Sequence, residues 1–161
     1  MIHLITVNPQ VCNGCKTCEV ACSLHRAGEC RPDRARIRVE RQEERGLVNA
    51  VPVVCQQCEN PPCREACPTE AIVEDGGPSR IRIQEEACTG CAACTQACPI
   101  GAIRVDLVQG VARTCDLCQG APKCVALCHS GSLGYTAYEA GNESHRVGHL
   151  VKALQAEGLL D

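Results

Sequence analysis

The chain of 161 residues has almost no aromatic side chains. It contains no Phe and no Trp, and its two tyrosines are Tyr135 and Tyr138. Aromatic residues usually bury the largest surfaces in a core, so a conventional core built around rings is excluded. The aliphatic residues must pack around something larger. Inorganic clusters held by side chains can fill that volume and crosslink distant segments, which predicts that the chain does not fold without metal.

Long hydrophobic runs are also absent. No apolar stretch approaches the ~20 residues that a membrane-spanning helix needs. Residues 1–10 lack the basic region and the apolar region of a secretory signal, and a twin-arginine signal is missing. We therefore expect no membrane span and a cytoplasmic protein. Export together with a signal-bearing partner stays open.

Cysteine, in contrast, is abundant, with 17 residues. Sixteen of them form four quartets. The first is Cys12, Cys15, Cys18 and Cys22; the second is Cys55, Cys58, Cys63 and Cys67; the third is Cys88, Cys91, Cys94 and Cys98; and the fourth is Cys115, Cys118, Cys124 and Cys128. A disulfide scaffold is the alternative in a short secreted chain. The odd cysteine count, the missing signal and the clustering of thiols in one small volume favour metal binding in a reducing compartment.

The third quartet has the spacing of the bacterial ferredoxin run, in which three close thiolates hold one cubane. The fourth cysteine of such a run ligates the other cluster in two-cluster ferredoxins. Gly90 lies inside this loop and Gly14 lies at the equivalent place in the first quartet, where backbone N–H groups can approach sulfur. Zinc stays an alternative for an isolated Cys-x-x-Cys pair, but four quartets together indicate iron-sulfur clusters.

The ordered set of motifs resembles the four-cluster ferredoxin-like subunits of the dimethyl sulfoxide reductase B-subunit type. Three stretches carry the resemblance, which extends over about residues 2–134. They are Cys55-Gln-Gln-Cys58-Glu-Asn-Pro-Pro-Cys63, Cys67-Pro-Thr-Glu-Ala-Ile72 and Thr114-Cys-Asp-Leu-Cys118. The resemblance implies an α+β fold of two interleaved ferredoxin-like units, in which quartets two and three form an inner ferredoxin between the halves of an outer one.

The resemblance also implies four 4Fe-4S clusters with exchanged ligands. Cluster 1 takes Cys12, Cys15, Cys18 and Cys128; cluster 2 takes Cys115, Cys118, Cys124 and Cys22; cluster 3 takes Cys55, Cys58, Cys63 and Cys98; and cluster 4 takes Cys88, Cys91, Cys94 and Cys67. The residues themselves favour the exchange between quartets two and three. The pairing of quartets one and four rests on the resemblance.

The predicted function is single-electron transfer without catalysis. Sixteen cysteines saturate four cubanes, and the chain has no dinucleotide fingerprint or phosphate loop, so two-electron chemistry must belong to other subunits. The resemblance implies a large catalytic subunit with molybdenum or tungsten, and its specific match is the small subunit of a tungsten aldehyde oxidoreductase. A FAD- or NAD-dependent subunit, a diffusible ferredoxin and further copies of the chain are further expected partners.

Three other functions stay open. The chain can be a diffusible polyferredoxin, a zinc-binding interaction module or a cluster-bearing catalyst. Nucleic acid is not an expected partner, because each oxidised cluster with its thiolates adds about −2 and brings the formal charge of −3 to about −11.

Hydrophobic and turn patterns predict the organisation around the quartets. Strands are expected over 2–7, 35–41, 47–54, 71–73, 80–83, 102–107 and 110–113, and a short helix over 15–25. The expected domains are a four-cluster unit over 1–134, with its inner ferredoxin over about 51–106, and a tail over 135–161. The tail contains an amphipathic helix with Ser144 as its N-cap. This helix packs on its own domain or docks onto a partner subunit or a neighbouring copy.

Other residues carry weaker patterns. Cys30, outside the quartets, is expected to be a small buried side chain. Arg34, Arg36 and Arg38 alternate along one strand face, where they can dock an acidic partner, offset cluster charge or pair with nearby glutamates, which are Glu40, Glu43 and Glu44. His129 is either exposed or a donor near a cluster. His145 and His149 are expected to bind no metal.

Overall fold

In the computed structural model, residues 2–44, 46–138 and 143–159 are described. The strands are β1 (Ile2–Val7), β2 (Ile37–Glu44), β3 (Leu47–Val54), β4 (Ile72–Glu74), β5 (Ile81–Ile83), β6 (Arg104–Asp106), β7 (Val111–Arg113) and β8 (Leu133–Tyr138). The α-helices are α1 (Thr17–Ala27), α2 (Pro62–Glu65), α3 (Ala93–Ala97), α4 (Lys123–Ala126) and α5 (Glu143–Ala156). Short 3₁₀ turns cover Pro9–Val11, Pro32–Arg34 and Leu117–Gly120. The mixture confirms the predicted α+β class.

The described strands form two-stranded antiparallel sheets. Three of them are local hairpins, β2–β3, β4–β5 and β6–β7, at the places that the sequence predicts. The β2–β3 hairpin runs in register from Ile37 opposite Val54 to Glu44 opposite Leu47. Ile37 and Val39 alternate with partly exposed arginines and face the core, as the period-2 pattern requires.

The fourth sheet pairs the first described strand with the last. β1 pairs with β8 from Ile2 opposite Tyr138 to Val7 opposite Leu133. The sequence prediction contains β1 but not β8. The strand β8 lies across the predicted boundary between residues 134 and 135, and the division into a four-cluster unit and a tail stays a prediction.

The helices other than α5 lie in or beside the cysteine motifs. α1 begins after Lys16, whose φ is 60°, and ends at Gly28, whose N–H donates to the carbonyl of Leu24 at 3.1 Å. The predicted helix over 15–25 is therefore present, shifted by two residues. α2 and α4 begin after Pro61 and Pro122, in extended conformation.

Two hydrophobic clusters hold the elements together. The larger one contains Ile5, Val51, Leu117 and aliphatic residues of β2 and β3, and the smaller one contains Ile72, Ile81 and Ile103. Quartet cysteines belong to both clusters. The cores are therefore built around the positions where metal is predicted.

The C-terminal helix packs on its own chain. Leu150 and Leu154 of α5 are buried in the larger cluster, which confirms the simpler of the two predictions for this helix. The helix begins at Glu143, so the predicted cap Ser144 lies within its first turn, and its side chain is outside the described ones. Among the described residues, no helix combines the length and the apolar character needed to cross a membrane.

Candidate metal centres

The cysteine motifs place thiols on tight loops that lead into short helices. In the third quartet, Cys88 and Cys91 lie on the loop, Cys94 lies in α3 and Cys98 follows its last residue. Gly90 in this loop has a φ of 68°. A Cβ added at Gly90 would lie 2.2 Å from the carbonyl oxygen of Gly110. Only glycine therefore fits between the loop and the β6–β7 turn.

One cavity collects cysteines from the second and third quartets. Cys55, Cys58, Cys63 and Cys98 line a space of about 420 Å³, including the part open to solvent. Burial, together with the neighbouring Cys55, Cys98 and Cys94, raises the pKa of Cys63 to about 12. These are the four residues predicted for cluster 3, and the structure brings them together.

A second cavity collects the complementary set. Cys67, Cys88, Cys91 and Cys94 line a space of about 310 Å³, again including its open part. Burial raises the pKa of Cys94, and Cys88, Cys67 and Cys91 act in the same direction. The cavity contains the four residues predicted for cluster 4. Its residue Cys91 is exposed, so this site lies near the surface.

The outer quartets also come together. Burial raises the pKa of Cys124 to about 12, and the nearby Cys22 and Cys118 contribute. Burial likewise raises the pKa of Cys115 far above its usual value, with Cys55, Cys124 and Cys22 as neighbours. Cys22 of the first quartet therefore lies among the cysteines of the fourth, as predicted for cluster 2.

The remaining set combines the first quartet with the end of the fourth. Burial raises the pKa of Cys18 to about 12, and the neighbours Glu19, Cys124 and Cys12 act in the same direction. Cys15 is exposed. Asn13 Nδ2 and His129 Nε2 lie 3.1 Å apart, which joins the loop of the first quartet to the residue after Cys128. His129 is exposed, which agrees with one of the two predictions, and its ring nitrogen accepts from the Asn13 amide; a donor role near a cluster stays a prediction.

Electrostatic effects between cysteines link the sets in a definite order. Cys124 raises the pKa of Cys18, which links the sets of clusters 1 and 2, and Cys55 raises the pKa of Cys115, which links those of clusters 2 and 3. Cys94 raises the pKa of Cys63, which links the sets of clusters 3 and 4. The four sets are thus linked in one row, in whose middle Cys55 and Cys115 are buried.

Backbone N–H groups point at several of the sulfurs. Arg36 donates to Cys22 Sγ at 3.2 Å, and Ala112 donates to Cys88 Sγ at 3.3 Å. Ala71 and Ala102 donate to Cys67 Sγ and Cys98 Sγ, each at 3.3 Å. Such donors suit thiolates, which accept but cannot donate. The donor set therefore fits cluster ligands.

Hydroxyl groups also face sulfur. Thr69 Oγ1 lies 3.7 Å from Cys67 Sγ, and Ser130 Oγ lies 3.6 Å from Cys128 Sγ. Burial acts to raise the pKa of Cys67, but the Thr69 hydroxyl and nearby backbone N–H groups lower it below its usual value. The pKa of Cys128 is also lowered, because Ser130 and backbone N–H groups outweigh the opposing effect of burial.

Two further hydroxyls are buried beside cysteines. Thr95 Oγ1 and Thr114 Oγ1 have no partner of full hydrogen-bond geometry among the described residues. Burial raises the pKa of Cys94 and of Cys55, while the hydroxyls of Thr95 and Thr114 act in the opposite direction. Buried hydroxyls normally have a hydrogen-bond acceptor. The thiolates of the neighbouring cysteines would supply one to each of these two hydroxyls.

The arginines of the β2 region are used within the chain. Arg34 Nε contacts Asp106 Oδ2 at 3.1 Å, and Arg36 Nη1 contacts Asp116 Oδ2 at 2.7 Å. Arg38 pairs with Glu40 and donates to the carbonyl of Ile100 at 3.1 Å. Of the two predicted glutamate partners with described side chains, Glu40 and Glu43, Glu40 binds an arginine of this set. Glu43 pairs with Arg41. The arginines thus attach β2 to the inner hairpins and to the fourth quartet.

Gln57 is a site residue that the sequence prediction lacks. Its side chain is fully buried, donates to the carbonyl of Cys115 at 3.0 Å and accepts from the N–H of Arg80 at 2.8 Å. Its carbonyl accepts from the hydroxyl of Tyr138 at 2.7 Å. Gln57 therefore joins the loop of the second quartet to that of the fourth. A glutamine between two cysteines gives no sequence pattern that predicts this role.

The prediction for Cys30 is wrong. Cys30 is exposed, because it follows the end of α1 at Gly28 and precedes the surface turn Pro32–Arg34. His149 is exposed on α5, and the side chain of His145 lies outside the described ones. The described residues contain no group of three or more His, Cys, Asp or Glu around a single metal position. A cubane differs from such a site, since its thiolates bind separate irons.

Comparison with known proteins adds the family. Residues 46–137 match the family model described as 4Fe-4S dicluster domain. The polyferredoxin-like subunit of aliphatic sulfonate oxidoreductase from Pyrococcus furiosus is 41% identical over 138 residues, covering 86% of this chain and 78% of that protein. A putative electron transport protein from Escherichia coli is 36% identical over 143 residues, covering 83% of this chain and 88% of that protein. A tetrathionate reductase subunit from Archaeoglobus fulgidus is 38% identical over 118 residues, covering 72% of this chain and 55% of that protein.

A solved structure has a similar fold. One chain of the active-site complex BamBC of benzoyl coenzyme A reductase aligns with 96% of this chain and 90% of its own length, with a TM-score of 0.51. The sequence identity is 23%. This likeness concerns the fold.

Proposed function

The chain belongs to the 4Fe-4S dicluster domain family, and from that premise we propose that it is an electron-transfer subunit with four 4Fe-4S clusters. The clusters take the four sets of cysteines given above, and the units that hold them interleave along the chain. Each cluster would supply one-electron redox chemistry when bound. The protein's own part is to position the thiolates, to exclude water from the middle of the row and to donate hydrogen bonds to sulfur.

One observation carries this proposal. Thiols from quartets distant in sequence meet in two cavities, and each cavity is lined by four cysteines, Cys55, Cys58, Cys63 and Cys98 in one and Cys67, Cys88, Cys91 and Cys94 in the other. The effects of Cys124 on Cys18, of Cys55 on Cys115 and of Cys94 on Cys63 support the order cluster 1, cluster 2, cluster 3, cluster 4 along the row. Exposed Cys15 and Cys91 support entry and exit of electrons at opposite ends.

The partner is proposed to be a catalytic oxidoreductase subunit containing molybdenum or tungsten, of the aldehyde oxidoreductase type, with a flavin subunit or another carrier at the far end. Two of the similar proteins are named as subunits of an oxidoreductase and of a reductase, which supports a partner that catalyses a redox reaction. The chain itself is proposed to be non-catalytic and cytoplasmic.

Metal analysis of anaerobically purified native protein tests the cofactor. We expect about sixteen irons and about sixteen acid-labile sulfides per chain, together with electron paramagnetic resonance signals after dithionite reduction. Zinc in place of iron would support an interaction module instead, and a colourless protein without signals would refute the proposal.

Native purification with mass spectrometry of bound chains tests the partner. We expect a large metalloenzyme subunit to remain bound through size-exclusion chromatography at low salt. Recovery of the chain alone would favour a diffusible polyferredoxin. Turnover by the isolated chain would contradict a non-catalytic role.

A further inference from the structure

Four cysteines occupy equivalent places at the ends of the four motifs, and their surroundings differ. Each is the last cysteine of its quartet and is proposed to serve the cluster of another quartet. They are Cys22, Cys67, Cys98 and Cys128. The residue two positions later is Thr69 after Cys67 and Ser130 after Cys128, but Leu24 after Cys22 and Ile100 after Cys98. A hydroxyl is therefore available at two of these four cysteines.

Both hydroxyls lie within hydrogen-bond distance of the sulfur. The distances are 3.7 Å for Thr69 Oγ1 to Cys67 Sγ and 3.6 Å for Ser130 Oγ to Cys128 Sγ. A cluster-bound cysteine is a thiolate without a proton, so the hydroxyl must be the donor in each pair. The two pairs lie in separate quartets, and this repetition shows that the contact follows from the motif's backbone.

Cys67 and Cys98 form a matched comparison within the chain. Each is followed by proline, and each sulfur accepts the N–H of the residue four positions later, Ala71 or Ala102, at the same 3.3 Å. Their backbone donors are thus alike, and the side chain two positions later differs: Thr69 can donate to sulfur, whereas Ile100 cannot.

From this difference we propose that Thr69 and Ser130 are positioning residues that raise the reduction potentials of the two terminal clusters by donating hydroxyl hydrogen bonds to Cys67 and Cys128. The inference rests on the proposed four-cluster function. Reduction adds negative charge to a cluster, and a donor to its thiolate stabilises the reduced form more than the oxidised form. The two ends of the row therefore accept electrons more readily than they would without these hydroxyls.

The test is a redox titration of the holo protein followed by electron paramagnetic resonance. Ser130→Ala is expected to lower the equilibrium constant for reduction of one cluster by about three- to tenfold, which equals about 28 to 59 mV for a one-electron couple. Thr69→Val is expected to lower that of a different cluster by less, because Thr69 is exposed and water can replace its hydroxyl. Thr69→Ser retains the donor and is expected to restore the potential.

Thr136→Val is the matched control. Its hydroxyl donates to the carbonyl of Ala137 and touches no cysteine, so all midpoints should stay unchanged. Iron and sulfide are measured first in the unaltered protein. A shortfall of clusters there would contradict the proposed function, and this result is distinct from unchanged midpoints in the variants. Midpoints of Ser130→Ala and Thr69→Val that equal those of a fully loaded parent would overturn this inference. If one of these two variants loses iron, the midpoints of the other variant test the inference.

Discussion

Gly90 shows how closely a single residue is constrained at these centres. It lies between Cys88 and Cys91, has a φ of 68° and faces the carbonyl of Gly110. Gly110 has nearly the same φ, 69°, but a Cβ added there would meet nothing within 4 Å. Alanine substitutions at these two glycines therefore distinguish the energetic cost of the backbone conformation, which both share, from the cost of a steric clash, which only Gly90 has.

Gly90→Ala is expected to release cluster 4 at least about tenfold faster in denaturant than Gly110→Ala does. Both substitutions cost about 1–2 kcal/mol because of the left-handed backbone conformation. Gly90→Ala must also displace backbone atoms. Each additional ~1.4 kcal/mol changes the rate of release about tenfold. The measurement is bleaching of the visible absorbance at fixed urea. Equal rates for the two variants would contradict the close contact.

Asp116 has a similarly specific place, because it serves three groups at once. Its carboxylate pairs with Arg26 and Arg36 and accepts the N–H of Cys118 at 3.1 Å. Arg26 lies in α1, Arg36 precedes β2, and Asp116 lies between two cysteines of the fourth quartet. One side chain thus joins the first motif, the hairpin and the fourth motif.

We expect Asp116→Asn to lower the apparent Tm of the holo protein by about 3–10 °C, because two partly buried guanidinium groups lose their carboxylate at a cost of about 1–3 kcal/mol. Asp33→Asn is the control, since the Arg31–Asp33 pair is exposed and such pairs contribute less than about 1 kcal/mol. Calorimetry at one scan rate measures both. A larger effect of Asp33→Asn would contradict this account.

At the scale of elements, local hairpins were predictable and the terminal strand pair was not. The strands of β2–β3 are close in sequence, alternate in hydrophobicity and flank Gly46, so pattern and turn identify them together. β8 has a weak pattern, with Gly134 and exposed Thr136, and its partner β1 lies at the other end of the chain. Nothing local specifies that pairing.

For the cysteine sites too, local features were predictable from the sequence and contacts between distant segments were not. Ligand types and the exchange between the second and third quartets could be inferred from spacing, because the ferredoxin run has a known geometry. The partners of Arg34 and Asp116, the burial of Gln57 and the exposure of Cys30 depend on how distant segments approach each other. Such contacts have no spacing rule.

The helix α5 is an element whose role the structure defines. Leu154 is 1% exposed in the larger core, and Val147 lines the cavity of Cys55, Cys58, Cys63 and Cys98. The helix therefore covers one predicted cluster site. Its contribution is packing within the chain, whatever else its outer face contacts.

Leu154→Ala should lower the apparent Tm by about 5–15 °C, because removing a buried leucine costs about 2–5 kcal/mol. Leu107→Ala provides the contrast, since Leu107 is 95% exposed at the β6–β7 turn and its removal leaves no cavity. Thermal unfolding monitored by circular dichroism compares the two. Equal Tm values would mean that α5 does not pack as described.

At the scale of the whole molecule, the protein has little that could hold it together without metal. Each sheet among the described residues has two strands, and isolated two-stranded hairpins are at best marginally stable. The two cores contain quartet cysteines and lack Phe and Trp. The pKa of Cys18, Cys63 and Cys124 is raised by burial to about 12, so these thiols are protonated at neutral pH when no iron displaces the proton.

Removing iron with a chelator under anaerobic reducing conditions is therefore expected to unfold the chain. Each proposed cluster ties a loop of one quartet to the last cysteine of another, and its loss frees both segments while leaving the hairpins separate. Far-ultraviolet circular dichroism should lose most of its signal, and amide exchange should become unprotected throughout β2–β3. Adding iron and sulfide should restore both, which distinguishes unfolding from oxidation or aggregation. A chelated protein that keeps its amide protection would mean that the aliphatic cores suffice for folding and that the fold forms without the clusters.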